Sequence, residues 1–368
     1  MGRLTHGSLF SGYGGIDIAV SEVFGARTAW VSDIDPGPCK VLEHRFPGVP
    51  NLGDITQIDW ADVPPVDILS GGSPCQDLSS AGHRAGMTEG TRSNLWVQMR
   101  EAIATLRPRL VVWENVMGAL SASATSELES VEGRVGDGAG GPALRALGRV
   151  LGDLAEIGFD AEWATVRASD VGAPHGRARV FLIAWPAGSS PHSLLRGSDR
   201  RASEFDRDEE CGDDQRLTLL PTPRVSSGNG VSERELREGN PKVRLETSVA
   251  LLPTPRATRG GSATETVELL PALKVGDTDF GQYAPAIERW ERATVRPAPD
   301  PAKPSPKTGK PQLSAEFVEW MMGLPHGWFT SPEIGLTRVQ ALKIGGNGVV
   351  PQQAAFALRA LAERASGV

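Results

Sequence analysis

The segment DILSGGSPCQDLSSAG, from Asp67 to Gly82, opens as an apolar run, breaks at paired glycines and a proline, and then presents Cys75. An unpaired cysteine usually serves as a small buried hydrophobe, but a turn between elements is a poor place for that. As a thiolate, activated by backbone N–H groups or a nearby cation, Cys75 would be a nucleophile. LVVWENV ends a second apolar run with Glu114 and Asn115. A carboxyl at a partly buried strand end can be held protonated and act as a hydrogen-bond donor or acid; the plainer alternative is a surface acid. HGRARVFLIAW carries Arg177 and Arg179 just before a very apolar run. Residues i and i+2 share a face in extended chain, and two guanidinium groups on one face suit a carbonyl, phosphate or carboxylate. The plainer alternative is a solvated edge.

LFSGYGG places Phe10, Gly12, Gly14 and Gly15 directly after the first apolar run. Glycines there let the backbone approach a ligand and turn tightly into a helix. Alone, this GxGG is only a tight turn. WVSDID then puts Asp33 18 residues after Gly15, close to where a doubly wound fold binds a ribose with an acid. GDIT adds Asp54, which could accept from an adenine amino group or simply cap a helix. Together the three phrases indicate an adenosine-containing ligand.

A cysteine nucleophile, an acid, a fixed cation and an adenosine cofactor are the parts needed to methylate a pyrimidine carbon. Carbon 5 of cytosine is not nucleophilic. Thiolate attack at carbon 6 makes an enamine that is, and hydrogen bonding at the ring nitrogen lowers the barrier to that attack. With these parts in view, the chain resembles the C5-cytosine DNA methyltransferases that use S-adenosylmethionine. LFSGYGG resembles their opening cofactor motif. GGSPCQDLSSAG resembles their nucleophile loop, usually GGPPCQxFSxAG, with Ser73 for the first proline and Leu78 for the phenylalanine. WENV resembles the ENV motif, and HGRAR the QxRxR motif, with His175 for the glutamine. LSAEFVEWMMGLPHGW resembles a variant of the segment supporting the recognition domain, and GGNGVVPQQAAFAL the last motif.

The resemblance implies a set of roles. Cys75 is the nucleophile at carbon 6. Glu114 contacts ring nitrogen 3 and the amino group. Arg179 holds the base carbonyl, with Arg177 beside it near Cys75 or a phosphate. Phe10, Gly12, Gly14, Gly15, Asp33, Ile34, Asp54 and Asn347 line the cofactor, Ile34 standing where the family often has an aromatic. Gln76 touches the DNA backbone, and the loop 77–94 closes over a base flipped out of the duplex. An RNA-acting member, a silent relative and a nicotinamide oxidoreductase are the competing readings. The intact PCQ and ENV phrases and the long insert favour a DNA methyltransferase.

These residues need a frame that gathers strand ends. LTHGSLF, TAWVSDID, VDILSGG, LVVWENV and RVFLIAW alternate with helix-like stretches, including 94–105 and 143–157, which indicates a parallel α/β sheet. Such sheets place ligands beyond the C-terminal ends of their strands. The expected class is α/β, a Rossmann-like S-adenosylmethionine-dependent methyltransferase sheet with a smaller inserted target-recognition domain. Its divisions read as a catalytic, cofactor-binding domain at 1–185, a target-recognition domain at 186–312, and a segment 313–368 returning to the catalytic domain. Residues 121–142 read as a surface insertion. LLPTPR occurs at Leu219–Arg224 and again at Leu251–Arg256, with a decayed LLPAL at Leu269–Leu273. The uneven spacing excludes a solenoid and leaves scaffold and base reader open. Arg224, Arg256, Arg259 and Gly260–Gly261 are candidate readers. The Pro-rich stretch 297–311 reads as a stiff linker. Ser314 reads as the N-cap of a helix ended by Gly323 and Pro325, and 352–364 as a closing helix.

Composition constrains the class further. The 368 residues carry 45 acidic and 38 basic side chains, a net charge of −7, so bulk charge neither requires nor excludes a nucleic-acid partner. Seven acids cluster between Glu204 and Asp214, leaving the rest of the middle segment net basic. Three scattered cysteines, Cys39, Cys75 and Cys211, argue against a disulfide framework and a zinc site. No run approaches a membrane span, and the opening residues lack a signal-peptide pattern. The expectation is a cytoplasmic monomer that binds double-stranded DNA, with no metal and no membrane.

Overall fold

The computed structural model describes residues 3–73, 95–117, 123–124, 144–195, 217–224, 245, 248, 274–275, 278–306, 309 and 311–365. Cys75, Gln76, the loop 77–94, Arg256, Arg259, Gly260–Gly261 and the later LLP phrases lie outside the described residues, as does most of 121–142.

Contacts divide the chain into two units. The first holds Met1–Arg167, Ala178–Ala202 and Pro351–Val368. Its centre is a six-stranded sheet of β1 (Thr5–Leu9), β2 (Arg27–Ser32), β3 (Ile68–Gly71), β4 (Leu110–Val116), β5 (Phe159–Arg167) and β6 (Ala178–Pro186), ordered β2-β1-β3-β4-β6-β5. β1 pairs parallel with β2 and β3, and β3 with β4. β6 runs antiparallel to both β4 and β5. The sheet is therefore mixed where the alternation of strands and helices suggests a parallel one. The extra strand, β5, is half exposed and reads FDAEWATVR, with no continuous apolar run to announce it.

β1, β3 and β4 are buried almost throughout, as strands covered on both faces are, although β1 carries His6 and Ser8 and β3 carries Ser70. The helices of this unit are α1 (Gly15–Phe24), α2 (Pro36–Arg45), α3 (Leu95–Leu106), α4 (Ala146–Glu156) and a closing helix, Pro351–Arg364. The closing helix packs on α1, β5 and β6. The core beside α3 is aromatic. Trp96 meets Trp113 edge to face at 6.1 Å, and its indole N–H donates to buried Asp153 at 2.7 Å. A polar partner is what a buried indole N–H requires. A two-residue antiparallel ladder pairs Ser123–Ala124 with Leu144–Arg145.

The second unit holds Ala168–Arg177 and Ser203–Val350. It contains the helices Ala284–Thr294, Ala315–Met321 and Arg338–Asn347. Ser314 is the N-cap of the middle one, its hydroxyl accepting from Phe317 N at 3.3 Å. The Pro-rich stretch does more than span a gap: Ala302–Pro304 pairs antiparallel with Pro311–Leu313. Residues 168–177, which the sequence division assigns to the catalytic zone, group with this unit, and so do 313–350. The closing helix groups with the sheet.

Candidate active site

The turn after β1 is built from left-handed backbone. Phe10, Gly12 and Gly14 have φ of 53°, 58° and 83°. A phenylalanine at positive φ is uncommon and is tolerated where surrounding structure imposes it. Gly14 caps α1, and a Cβ there would stand 2.7 Å from the Phe46 ring. Gly12 N donates to Asp33 Oδ2 at 2.8 Å, tying this turn to the end of β2. Asp35 N donates to Oδ1 at 2.9 Å. Burial pushes the Asp33 carboxyl up from its ordinary range, and the N–H groups of Asp35 and Gly12 pull it back. Next to it, Ile34 is 67% exposed. Asp54 Oδ1 accepts from Thr56 N at 3.0 Å and Thr56 Oγ1 at 2.9 Å, so Asp54 does cap the short turn Ile55–Gln57. Its Oδ2 takes no hydrogen bond from the described residues. Gly15 is buried at the start of α1.

Two features here were not anticipated from the sequence. One is Asn51, which lies between Asp33 and Gly53. The other is a buried polar cluster beneath the glycine turn. His6 Nε2 and Ser70 Oγ are 2.7 Å apart, Ser8 Oγ donates to Asp17 Oδ2 at 2.9 Å, and His6 Nδ1 lies 3.6 Å from Asp17 Oδ1. Burial lowers the His6 pKa to about 3 and raises that of Asp17 to about 7. Polar residues on β1 and β3 are the only local signal for it.

Glu114 and Arg179 meet on one face of the sheet, Arg179 Nε lying 2.8 Å from Glu114 Oε1. Both side chains are largely buried, at 10% and 14% exposed. The adjoining Gly72 lies so close that a Cβ would stand 2.9 Å from Glu114 Oε2. The backbone just after β3 therefore borders the carboxylate. Ser73, in the position of the family's first proline, is buried. Its hydroxyl accepts from Trp113 Nε1 at 3.1 Å and Asn115 Nδ2 at 3.4 Å. The start of the loop is thus fastened to the two neighbours of Glu114.

Arg177, two residues from Arg179 in sequence, has a different setting. It is 4% exposed, and its guanidinium donates to the carbonyls of Pro223 at 3.3 Å, Gly346 at 3.0 Å and Gly348 at 2.7 Å. It holds together the loop at 174–177, the first LLPTPR copy and the glycine-rich turn around Asn347. Asn347 itself is exposed at the last position of its helix. His175 is fully buried, pairs by backbone with Leu220, and donates from Nε2 to the Met321 carbonyl at 3.1 Å. The first LLPTPR copy is therefore packed scaffold through Leu220 and Pro223, while Arg224 is exposed. Among the described residues no cluster of His, Cys, Asp or Glu could hold a metal ion. No described helix is long and apolar enough to cross a membrane.

This mixed sheet, with a glycine turn after β1 and acids at the ends of β2 and β4, is the methyltransferase type of α/β fold. A family profile described as C-5 cytosine-specific DNA methylase matches residues 4–363, and the chain belongs to that family. A 179-residue stretch is 31% identical to the Type II methyltransferase M.NlaIV of Neisseria lactamica, covering 47% of this chain and 39% of that protein. A 135-residue stretch is 38% identical to a DNA N-6-adenine-methyltransferase of Escherichia phage P1, covering 33% of this chain and 18% of that one. The matched stretches span less than half the length of either relative. The solved structure of Schizosaccharomyces pombe Dnmt2 methyltransferase (S. pombe) shares the fold, with a TM-score of 0.54 and 14% identity over 98% of this chain and 99% of that one.

Proposed function

We propose that this chain transfers a methyl group from S-adenosylmethionine to carbon 5 of cytosine within a short specific sequence of double-stranded DNA. The observation that carries this reading is the Glu114–Arg179 pair, 2.8 Å apart and bordered by Gly72, at the entrance to the loop bearing Cys75. A cytosine ring offers an amino group and nitrogen 3 on one edge and a carbonyl beside them: a protonated carboxyl donates to nitrogen 3 and accepts from the amino group, and a guanidinium donates to the carbonyl. The cytosine must leave the duplex to reach them, at a cost of a few kcal/mol.

In this account the Cys75 sulfur forms a bond to carbon 6, and the ring electrons move to carbon 5. The Glu114 carboxyl supplies a proton to nitrogen 3 as negative charge develops there and takes it back when the ring is restored, while Arg179 donates to the carbonyl oxygen. After methylation, loss of the carbon 5 proton expels the thiolate and restores the ring. S-adenosylmethionine supplies the methyl group as an electrophilic sulfonium. The residues at the strand ends fit such a cofactor. Exposed Ile34 offers an apolar face for adenine, Asp33 a ribose acceptor, and Asp54 Oδ2 an acceptor for the adenine amino group. Phe10, Gly12, Gly14, Gly15 and Asn347 complete the proposed contacts. Arg177, which donates to the carbonyls of Pro223, Gly346 and Gly348, holds the loop at 174–177 to the turn around Asn347. The target reader is assigned to 186–312, and the Type II relatives suggest a place in restriction-modification.

The test is incorporation of labelled methyl groups into plasmid DNA, total RNA and each purified base. Label in 5-methylcytosine of DNA is expected. Label in RNA alone would move the substrate, and label in adenine would contradict the chemistry. S-adenosylhomocysteine, but not NAD, should protect the protein against heat.

A further inference from the structure

The acids assigned to the cofactor stand on separate segments, and one side chain joins them. Asn51 Oδ1 accepts from Asp33 N at 3.1 Å and from Gly53 N at 3.1 Å. Asn51 Nδ2 donates to the Asp33 carbonyl at 3.1 Å and to Cys39 Sγ at 3.3 Å. A primary amide has two acceptor lone pairs and two N–H donors, and these four bonds use all of them.

The backbone prepares this placement. Val31 N donates to Pro50 O at 3.0 Å, and Leu52 N to Val31 O at 2.7 Å, so Asn51 pairs with Val31 as a short parallel edge beside β2. Ser32 Oγ donates to Gly53 O at 2.7 Å. Beyond Ser32 the two segments part, and the Asn51 side chain carries the connection onward to Asp33. Cys39 supports the same carbonyl, its thiol donating to Asp33 O at 3.2 Å. Asn51 is exposed. Hydrogen bonds that water could replace add little to stability, so four of them on one exposed amide serve geometry. Aspartate lacks the two donors, glutamine is a methylene too long, and alanine has neither.

We infer that Asn51 is a positioning residue for the cofactor, fixing Asp33 and the Gly53–Asp54 turn at the separation that ribose and adenine require. This rests on the reading of Asp33 and Asp54 as cofactor contacts. Asn51 acts through those two groups.

The experiment measures S-adenosylhomocysteine affinity by calorimetry for the full chain, Asn51→Ala, Asn51→Asp, Asp33→Ala and the Asn51→Ala/Asp33→Ala double variant. Thermal unfolding of each free protein is recorded alongside, with steady-state methylation for the Asn51 variants. Asn51→Ala should weaken binding by about tenfold, and the double variant by less than the product of the single effects, as coupled neighbours do. The KM for S-adenosylmethionine should rise far more than kcat falls, with the KM for DNA unmoved. A purely structural role would instead lower the unfolding midpoint and degrade all three parameters together, and would overturn the inference. Wild-type affinity in Asn51→Ala, with weakened binding in Asp33→Ala, would also overturn it and leave the cofactor site standing. Wild-type affinity in both would remove Asp33 from the cofactor site, and the inference with it. If Asn51→Ala does not fold, Asn51→Asp decides by the same criteria, since it keeps the acceptors and loses the donors.

Discussion

The Glu114 carboxylate and the Arg179 guanidinium meet at 2.8 Å diagonally across the antiparallel β4–β6 pair, where Glu114 faces Phe181 and Arg179 faces Val116 in register. The antiparallel β6 makes this possible. It brings the start of one strand against the end of another, so that a cation and an acid 65 positions apart share one face.

Substituting either partner should impair the chemical step more than binding. Glu114→Gln and Arg179→Lys are each expected to slow methyl transfer by about 10²–10³-fold, the usual loss when one group stabilising developing charge is removed. Lysine cannot reproduce the planar fork of arginine. Single-turnover rates measure the loss, and calorimetry should find S-adenosylhomocysteine affinity unchanged. A large loss of cofactor affinity would put Glu114 in the wrong site.

The buried His6–Asp17 pair predicts a pH signature. Asp17, raised to about 7 by burial, holds its proton in the folded state where the unfolded chain has lost it. Its contribution is full below about pH 4 and is lost as pH rises through 7. His6, lowered to about 3 by burial, contributes above its ordinary value of 6.5 and loses that contribution as pH falls through 3. The two trends oppose each other between about pH 4 and 6.5. Asp17→Asn keeps an acceptor for Ser8 and removes one trend. Its unfolding free energy relative to wild type should climb from pH 4 to 7 by on the order of 3–4 kcal/mol, then level off. Denaturant unfolding across pH measures this. A flat difference would mean that Asp17 is ionised throughout, with His6 as its cation.

His175 tests the departure from the family's glutamine. A glutamine amide can also donate to the Met321 carbonyl, so His175→Gln should stay within about 1 kcal/mol of wild-type stability. His175→Ala should lose about 1–3 kcal/mol, the cost of leaving a buried carbonyl unmet. Equal losses in both would mean that the ring's packing is what counts.

Ser73→Ala should cost about 1–2 kcal/mol because it strips the Trp113 indole N–H of its acceptor, while Asn115 keeps the Ser73 carbonyl. Adding Trp113→Phe should recover part of that loss. Full additivity in the double variant would show that the hydroxyl and the indole act independently.

The parts of this site readable in the sequence are those set by local chemistry. Gly12, Gly14 and Gly15 mark a tight turn, and Asp33 and Glu114 end apolar strands. Ser314 announces its own helix. What escaped depends on distant partners. β5 lacks an apolar run because it lies at the sheet edge. Nothing in HGRAR separates Arg177 from Arg179, since Pro223, Gly346 and Gly348 claim the first and Glu114 the second. Asn51 is one polar residue in a turn until Asp33 is beside it. The linker reading of 297–311 missed a hairpin because two-residue and three-residue pairings leave almost no pattern.

Cytosine methylation through Cys75 is tested by bisulfite sequencing. Unmethylated DNA is incubated with S-adenosylmethionine and either the wild-type chain or Cys75→Ala. Protected cytosines confined to one short motif are expected with the wild-type chain, and none with the variant. Unprotected cytosines with the wild-type chain, or equal protection with Cys75→Ala, would contradict it.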